Sequence, residues 1–297
     1  MPNTGIPPEA ATRPDELSVA RRRLRRFRVP VLLVALAAVL AGTRGLNVLA
    51  GHNAITGLAV GIGTAVGALA AYVWLSRTVE ARRTVSELPT LGRWSGLRRG
   101  AAAGFVAFTA TMLIIGIFGG WHHLGRGSFG GFLVTVGAMA SVAVNEELLF
   151  RGVVFRILEE RTGTVVALVV SSVIFGLTHL VNAHATVWGT LSIAAEGGTL
   201  LAAAYVATRS LWLPIGFHFA WDLTEGGIFG TANSGTTTDT SAGLLHTTLS
   251  GPDVLTGGTF GPEASLIALL VCLVPTVILL RRAARTGRLR RRLPRVG

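Results

Sequence analysis

Long apolar segments separated by short polar connections constrain this chain more than any other feature. A helix of about 20 apolar residues is long enough to cross the hydrocarbon core of a bilayer. Only 14% of the residues are charged and the mean hydropathy is +0.57, which excludes an ordinary water-soluble globule. We therefore predict an all-α fold, a polytopic transmembrane helical bundle of about eight spans. The candidate segments are 29–50, 54–76, 100–120, 130–150, 164–181, 190–208, 214–229 and 264–280.

The two weakest candidates are the segment 214–229, which is short, and the segment 29–50, which contains Arg44. The chain has one cysteine, Cys272, and it lies in an apolar run. A single cysteine excludes an intramolecular disulfide and a cysteine-based zinc site.

The basic residues are distributed unevenly along the chain. All 27 are arginines, and the formal net charge is +12. With alternating spans, every arginine except Arg44 and Arg126 falls on one side of the membrane. The positive-inside rule places that side in the cytoplasm. We therefore predict a multi-pass protein of the inner or plasma membrane, with both termini cytoplasmic, the lipid bilayer as a partner and no nucleic-acid partner.

The same pattern divides the chain into three parts. Residues 1–28 are predicted to be a disordered, Arg-rich cytoplasmic tail, residues 29–281 the transmembrane domain, and residues 282–297 a basic cytoplasmic tail. The stretch 223–263 has no basic residue and is rich in Gly, Ser and Thr. This composition predicts a flexible extracytoplasmic loop.

Ionisable residues inside apolar spans are costly to bury and often mark functional sites. Glu147 and Arg151 are four residues apart and share a helix face, whereas Glu146 points about 100° away. The pair would hold Glu147 in place and leave Glu146 free for other contacts. The same spacing joins Phe175 to His179 and, in a third segment, His218 to Asp222.

The turn at Thr162-Gly163 relates the first two clusters. Glu146 lies 16 residues before Thr162, and His179 lies 16 residues after Gly163. Equal distances from the turn of an antiparallel hairpin predict a glutamate and a histidine at one depth, able to activate water. Alternatives stay open at this point: the Glu147–Arg151 pair could simply join two helices, and Glu196 could support the site or serve as a structural partner.

These three motifs, Glu146-Glu147-x-x-x-Arg151, Phe175-x-x-x-His179 and His218-x-x-x-Asp222, resemble those of the CAAX protease and bacteriocin-processing (CPBP, or Abi) family of intramembrane endopeptidases. The resemblance covers a core of about 130–229. It implies a multi-helix intramembrane peptidase whose cavity opens toward the cytoplasm. The family's third motif ends in Asn or Asp, so Asp222 is an allowed form.

The resemblance also implies roles for the motif residues. Glu146 would be the general base, His179 would orient or share the water, and His218 with Asp222 would stabilise the oxyanion. Glu147 would act with the catalytic set, and Arg151 and Phe175 would support it structurally.

The reaction implied is hydrolysis of peptide bonds in membrane-associated or small peptide or protein substrates, as in CAAX proteases. We favour a glutamate-type enzyme without a cofactor; if a divalent metal such as zinc takes part, its ligands would be Glu146, His179 and His218. The chain lacks the His-Glu-x-x-His helix of zinc peptidases. The alternative function is a non-catalytic membrane immunity or scaffold protein of the same fold. Substrate, cleavage site and oligomeric state do not follow from the sequence.

Overall fold

The structure is a computed structural model that describes residues 27–236 and 242–291. Most of the predicted N-terminal tail and the last six residues of the predicted basic tail lie outside these ranges. The described residues form the helices α1 (Arg28–Ala50), α2 (Ala54–Thr78), α3 (Arg93–Ile117), α4 (Phe129–Thr162), α5 (Thr164–Val181), α6 (Val187–Thr208), α7 (Trp212–Asp222, continued by a π-helical segment Leu223–Phe229), α8 (Asp253–Thr256) and α9 (Leu266–Arg285).

Seven of these helices are long and apolar enough to cross a membrane, namely α1 to α6 and α9. The all-α polytopic prediction is thereby confirmed, although the number of such spans among the described residues is seven rather than eight. The segment 214–229 lies in α7, whose regular α-helical part has only 11 residues. Most of α7 is buried, so this helix lies inside the bundle.

The positions of the spans follow the apolar pattern closely. Arg44 does not interrupt α1, and its side chain is exposed. The largest difference is in α4, which continues as helix for 12 residues beyond the predicted end at residue 150. The continuation passes through a π-helical segment, Phe150–Phe155, before the turn at Gly163.

Glycines set the closest helix contacts. A Cβ on Gly61 of α2 would lie 2.1 Å from the carbonyl carbon of Gly137 in α4. A Cβ on Gly100 of α3 would lie 2.2 Å from the backbone oxygen of Leu213 in α7. Without side chains at these positions the backbones can touch, as is common where helices pack in a membrane. These two contacts place α4 and α7, which carry two of the three motifs, in the bundle.

The prediction of a flexible loop at 223–263 was wrong for its described residues. Residues 223–229 continue helix α7, and strand β2 (Leu245–Leu249) pairs antiparallel with β1 (Trp121–Arg126). Glu225 and Glu263 are buried instead of solvated. Composition did not reveal these elements or the burial of the two acids, because both arise only where the segment folds back against the end of the bundle.

The connections at 79–92, 163 and 209–211 lie at one end of the bundle, which we call the arginine end. Glu80 forms ion pairs with Arg156 at 2.7 Å and with Arg28 at 3.5 Å. Glu159 pairs with Arg209 at 2.5 Å. The tip of the α4–α5 hairpin is therefore held by charged neighbours from several helices. Which side of a membrane this end faces stays a prediction from the arginine distribution.

Candidate active site

The first motif lies near the middle of α4. Nη1 of Arg151 donates to Oε1 of Glu147 at 2.7 Å, as the four-residue spacing predicts. Both side chains are fully enclosed, with 2% and 0% exposure. Arg151 therefore lies inside the bundle. Glu146 takes no part in this pair.

Arg151 also joins α4 to two other helices. Its Nη2 donates to the backbone oxygens of Gly197 at 3.0 Å and Gly198 at 3.1 Å, both in α6. Its guanidinium carbon lies 4.5 Å from the ring centroid of Phe175 in α5, a cation–π arrangement. Arg151 and Phe175 thus support the site through contacts that cross three helices.

His218 connects the first motif to the third. Its Nδ1 lies 3.1 Å from Oε1 of Glu147, and since a carboxylate only accepts, Nδ1 carries the proton. Its Nε2 then faces two further carboxylates, with Oδ2 of Asp222 at 3.5 Å and Oε2 of Glu146 at 3.9 Å. The two adjacent glutamates therefore contact opposite nitrogens of one imidazole.

His179 lies at the far end of α5, in the final 3₁₀ turn Thr178–Val181. Its Nδ1 donates a hydrogen bond to the backbone oxygen of Phe175 at 2.9 Å, which leaves Nε2 of the neutral ring as an acceptor. The ring centroid of Phe175 lies 5.1 Å from the ring centroid of His179 and 6.1 Å from that of His218. Phe175 therefore separates the two imidazoles and touches both.

The hairpin argument predicted Glu146 and His179 at one depth, as a pair able to activate water. Within the described residues no hydrogen bond or ion pair joins them. Glu146 is placed beside His218, whereas His179 is held by its own helix end. Counting residues from the turn assumes a regular α-helix on both sides. Here α4 passes through a π-helical segment and α5 ends in a 3₁₀ turn, and both change the rise and rotation per residue.

The second and third motifs meet at a small cavity of about 30 Å³. His179, His218 and Asp222 line it, together with apolar side chains of α6, α7 and α9. Glu196 also lines the cavity and is 3% exposed, so the structure places this acid beside the motif residues. A largely apolar cavity with a few convergent polar groups is typical of a binding or active site.

Sequence reasoning missed two acids near this cavity, Glu225 and Glu263, which it assigned to a solvated loop. Both approach Asp222 closely. Glu225 was detectable because it lies three residues after Asp222, on the same side of a helix that continues beyond the motif. Glu263 reaches the site only through the tertiary path of the chain.

The helices are irregular where they carry the site. The π-helical segments Phe150–Phe155, Ala194–Gly198 and Leu223–Phe229 contain or adjoin Arg151, Glu196 and Asp222 respectively. Such segments change the direction of side chains and occur frequently at functional sites. Here they direct polar groups of three helices toward one region.

A larger cleft of about 930 Å³ also reaches Asp222. Its walls include His52, Asn182 and Asn233, which lie at the end of the bundle opposite the arginine end. The family resemblance implied a cavity open to the cytoplasm, and the arginine distribution predicts that the arginine end is cytoplasmic. These two expectations conflict in this fold, because the cleft opens at the other end.

The three side chains expected to bind zinc do not converge. Four-coordinate zinc holds its ligands about 2.0–2.2 Å from the ion, which brings the ligand atoms close together. Among the described residues, the group of His, Cys, Asp and Glu side chains whose ligand atoms all approach within 4.8 Å is Asp222, Glu225 and Glu263. Glu146, His179 and His218 thus do not fit a zinc site in this arrangement, and no step of the mechanism below involves a metal.

Comparison with known proteins supports the motif assignment. Residues 128–224 match the family described as type II CAAX prenyl endopeptidase Rce1-like. The match covers about a third of the chain and contains all three motifs, which confirms the resemblance seen in the sequence. No curated protein and no solved structure matches the chain significantly.

Proposed function

From the match of residues 128–224 to the CAAX endopeptidase family, which supports an intramembrane protease function, we propose that this chain hydrolyses peptide bonds through a water molecule activated by Glu146. The substrates would be membrane-associated or small peptides and proteins. The single observation that carries this proposal is the convergence of Glu146, Glu147 and Asp222 on one imidazole, that of His218.

Glu146 suits the role of general base because Arg151 does not bind it. Glu147 accepts the arginine hydrogen bond, whereas the carboxylate of Glu146 is buried, with 7% exposure, and lies near Nε2 of His218. In the proposed first step, Glu146 takes a proton from water as the oxygen attacks the substrate carbonyl carbon. General bases of this kind contribute about 10²–10⁴-fold to a rate.

His218 suits the stabilisation of the negative oxygen that forms. Glu147 fixes the proton on Nδ1, so protonation of Nε2 gives a second donor that points away from Glu147 toward the cavity. A donor preset in a water-poor cavity stabilises charge without reorganisation. Asp222, 3.5 Å from Nε2, would orient this nitrogen.

Collapse of the tetrahedral intermediate completes the reaction. The carbon–nitrogen bond breaks, Glu146 returns the proton to the departing amine, and the products are a carboxylate and an amine. His179 would orient the water, because its Nε2 can accept a hydrogen bond from it. The larger cleft that reaches Asp222, whose walls are mainly apolar, would receive the side chains that flank the cleaved bond.

The test compares Glu146→Gln with Glu160→Gln, a second glutamate of the same helix that lies at the arginine end. Membranes from cells that make each variant would be surveyed for peptide fragments by mass spectrometry. We expect fragments that depend on the wild-type chain to vanish with Glu146→Gln and to persist with Glu160→Gln. Purified protein would then be assayed on the identified peptide.

Cleavage by folded Glu146→Gln at the wild-type rate would contradict the mechanism. A variant that keeps the biological effect of the chain but melts at a lower temperature would instead favour the scaffold alternative. Melting temperature in detergent therefore has to be measured for both variants alongside cleavage.

A further inference from the structure

Four buried carboxylates, three of them lining the cavity and the fourth beside them, have too few positive groups near them to balance their charge. They are 5%, 0%, 3% and 3% exposed and belong to Asp222, Glu225, Glu263 and Glu196. Among the described residues no arginine forms an ion pair with any of them, and His218 provides at most one positive charge beside Asp222. Buried charges without compensation are strongly disfavoured.

The acids at the arginine end differ from these four, because each has an arginine partner. Glu80, Glu87, Glu159 and Glu160 each form at least one ion pair with an arginine. The chain therefore neutralises buried acids with arginine at one end and leaves them without arginine at the other. Protonation of the acids or a bound cation has to remove this charge.

The geometry of three of these acids is that of a cation site. Asp222, Glu225 and Glu263 each present an oxygen within 4.8 Å of the other two. Calcium binds oxygens at about 2.3–2.6 Å, so two ligands of one ion are separated by up to about 5 Å. The three oxygens can thus share one ion without any change of backbone.

The neighbouring donors hold the carboxylates in place and leave Oε1 of Glu225 without a hydrogen bond among the described residues. Trp221 donates to Oε1 of Glu263 at 2.8 Å, and the Ser234 hydroxyl donates to Oε2 of Glu263 at 2.6 Å. Asn233 donates to Oε2 of Glu225 at 2.8 Å. Outer hydrogen bonds that orient ligating carboxylates are characteristic of metal sites.

Two unpartnered oxygens provide independent evidence that a ligand belongs here. Within the described part of the chain, Oε1 of Glu225 and Oε2 of Glu196 are buried and have no hydrogen-bond partner. Glu196 lines the cavity together with Asp222 and Glu263. Buried acceptors are normally satisfied, so these atoms lack a group that the bound state would supply.

We propose that Asp222, Glu225 and Glu263 bind one hard divalent cation of the calcium type, with Glu196 as a neighbouring acceptor. All-oxygen ligands favour such cations over zinc, which prefers nitrogen and sulfur. Because Asp222 also belongs to the third motif, the cation would fix the end of α7 from which the motif side chains project. The site has a structural role distinct from the attack on the peptide bond.

The experiment measures binding on the full-length protein in detergent after treatment with EGTA and removal of the chelator. Calcium would be titrated by calorimetry, and the melting temperature would be followed by tryptophan fluorescence, with magnesium and zinc in parallel. We expect saturable binding of one calcium per chain and a melting temperature that rises with calcium concentration. Zinc binding more tightly than calcium would overturn the proposal.

Glu225→Gln and Glu263→Gln are the test variants, because glutamine keeps the shape and still accepts a hydrogen bond. Asp253→Asn is the matched control, since it removes one exposed acid at the same end of the bundle. We expect each test variant to weaken calcium binding by at least about tenfold, since ligand charge tunes affinity, and the control to leave it unchanged.

The absence of any calcium binding by the wild-type protein would overturn the proposal, and so would wild-type affinity in Glu225→Gln. If one test variant fails to fold, the other together with the wild-type titration decides. The measurement is binding rather than cleavage, so its failure would leave the proposed peptidase function untouched.

Discussion

Nδ1 of His218 donates to Oε1 of Glu147, the same oxygen that accepts from Nη1 of Arg151. One carboxylate oxygen thus fixes an imidazole from α7 and a guanidinium from α4. The other nitrogen of His218 is thereby turned toward Glu146 and Asp222. In the proposed mechanism the adjacent glutamates therefore have different tasks: Glu147 holds the site, and Glu146 remains available to react.

The buried Arg151–Glu147 pair gives the first prediction. Arg151→Ala leaves Glu147 buried without its arginine, which should reduce the free energy of unfolding by about 3–5 kcal/mol. The double variant Glu147→Gln/Arg151→Met removes both charges and should recover most of that loss. Thermal unfolding in detergent measures both effects. Equal instability of the single and double variants would show that packing, rather than the unpaired charge, dominates.

In the same double variant, cleavage activity should not recover together with stability. Glutamine does not hold His218 as a carboxylate does, so we expect the double variant to be folded but much less active than wild type. Restored stability together with full activity would contradict the role given to Glu147.

The close contact of α2 and α4 predicts opposite effects for two glycines of one helix. Gly61→Ala places a methyl group against Gly137 and should destabilise the protein by about 1–3 kcal/mol. Gly63→Ala is the control, because a Cβ there meets nothing within 4 Å. Helix propensity alone should make this control neutral or stabilising by up to about 1 kcal/mol. Melting temperatures of the two variants in one detergent would decide, and identical shifts would contradict the packing described here.

The loop between α2 and α3 predicts a dependence of stability on pH. Burial opposes ionisation of Glu87, but hydrogen bonds from Arg82 and Tyr72 outweigh it and lower the pKa of this carboxyl below its ordinary 4.5. The hydrogen bond to Glu87 correspondingly raises the pKa of Arg82. A carboxyl with a lower pKa in the folded state stabilises the protein above pH 4.5, and this contribution disappears as the pH falls through the folded-state pKa.

Glu87→Gln should therefore be less stable than wild type at neutral pH and should lose less stability on acidification. Unfolding measured from pH 7 to about pH 3 would test this, since proton linkage acts near the two pKa values. If the free energy of unfolding of both proteins changes equally with pH, Glu87 does not contribute the expected pH dependence of stability.

The absence of a converged zinc site predicts resistance to a zinc chelator. We expect cleavage of the identified peptide to persist in 1,10-phenanthroline with calcium kept in excess, which separates a catalytic zinc from the proposed calcium site. Metal analysis of the purified protein accompanies the assay. Stoichiometric zinc, loss of cleavage on chelation and recovery on zinc addition would together contradict the glutamate-type mechanism.

The conflict between the cleft and the arginine distribution calls for a direct measurement of orientation. Cys272 is the single cysteine, is buried, and can be replaced by alanine. His52→Cys at the cleft and Ser86→Cys at the arginine end would then be labelled in intact cells with a membrane-impermeant maleimide. Positive-inside topology predicts labelling of residue 52 and protection of residue 86 until the membrane is permeabilised. The reverse pattern would place the cleft in the cytoplasm.

The sequence by itself determined the class of fold and showed which residues form the three motifs. Long apolar runs have few stable alternatives to helices in a bilayer, because backbone groups cannot remain unpaired in lipid. The four-residue spacing of Glu147 and Arg151 likewise determined their ion pair, since both lie on one helix and no distant contact is required.

Only the tertiary structure decided how the motifs meet. His218 bonds to Glu147 across 71 residues, and Glu263 approaches Asp222 because the chain after α7 folds back against the bundle. Composition misrepresented that returning segment as a solvated loop, since glycine and threonine are common both in loops and in tight packing. Contacts between helices depend on rotation, helix irregularity and the path of connections. Local spacing does not encode these, so the acids at the end of α7 became visible only in three dimensions.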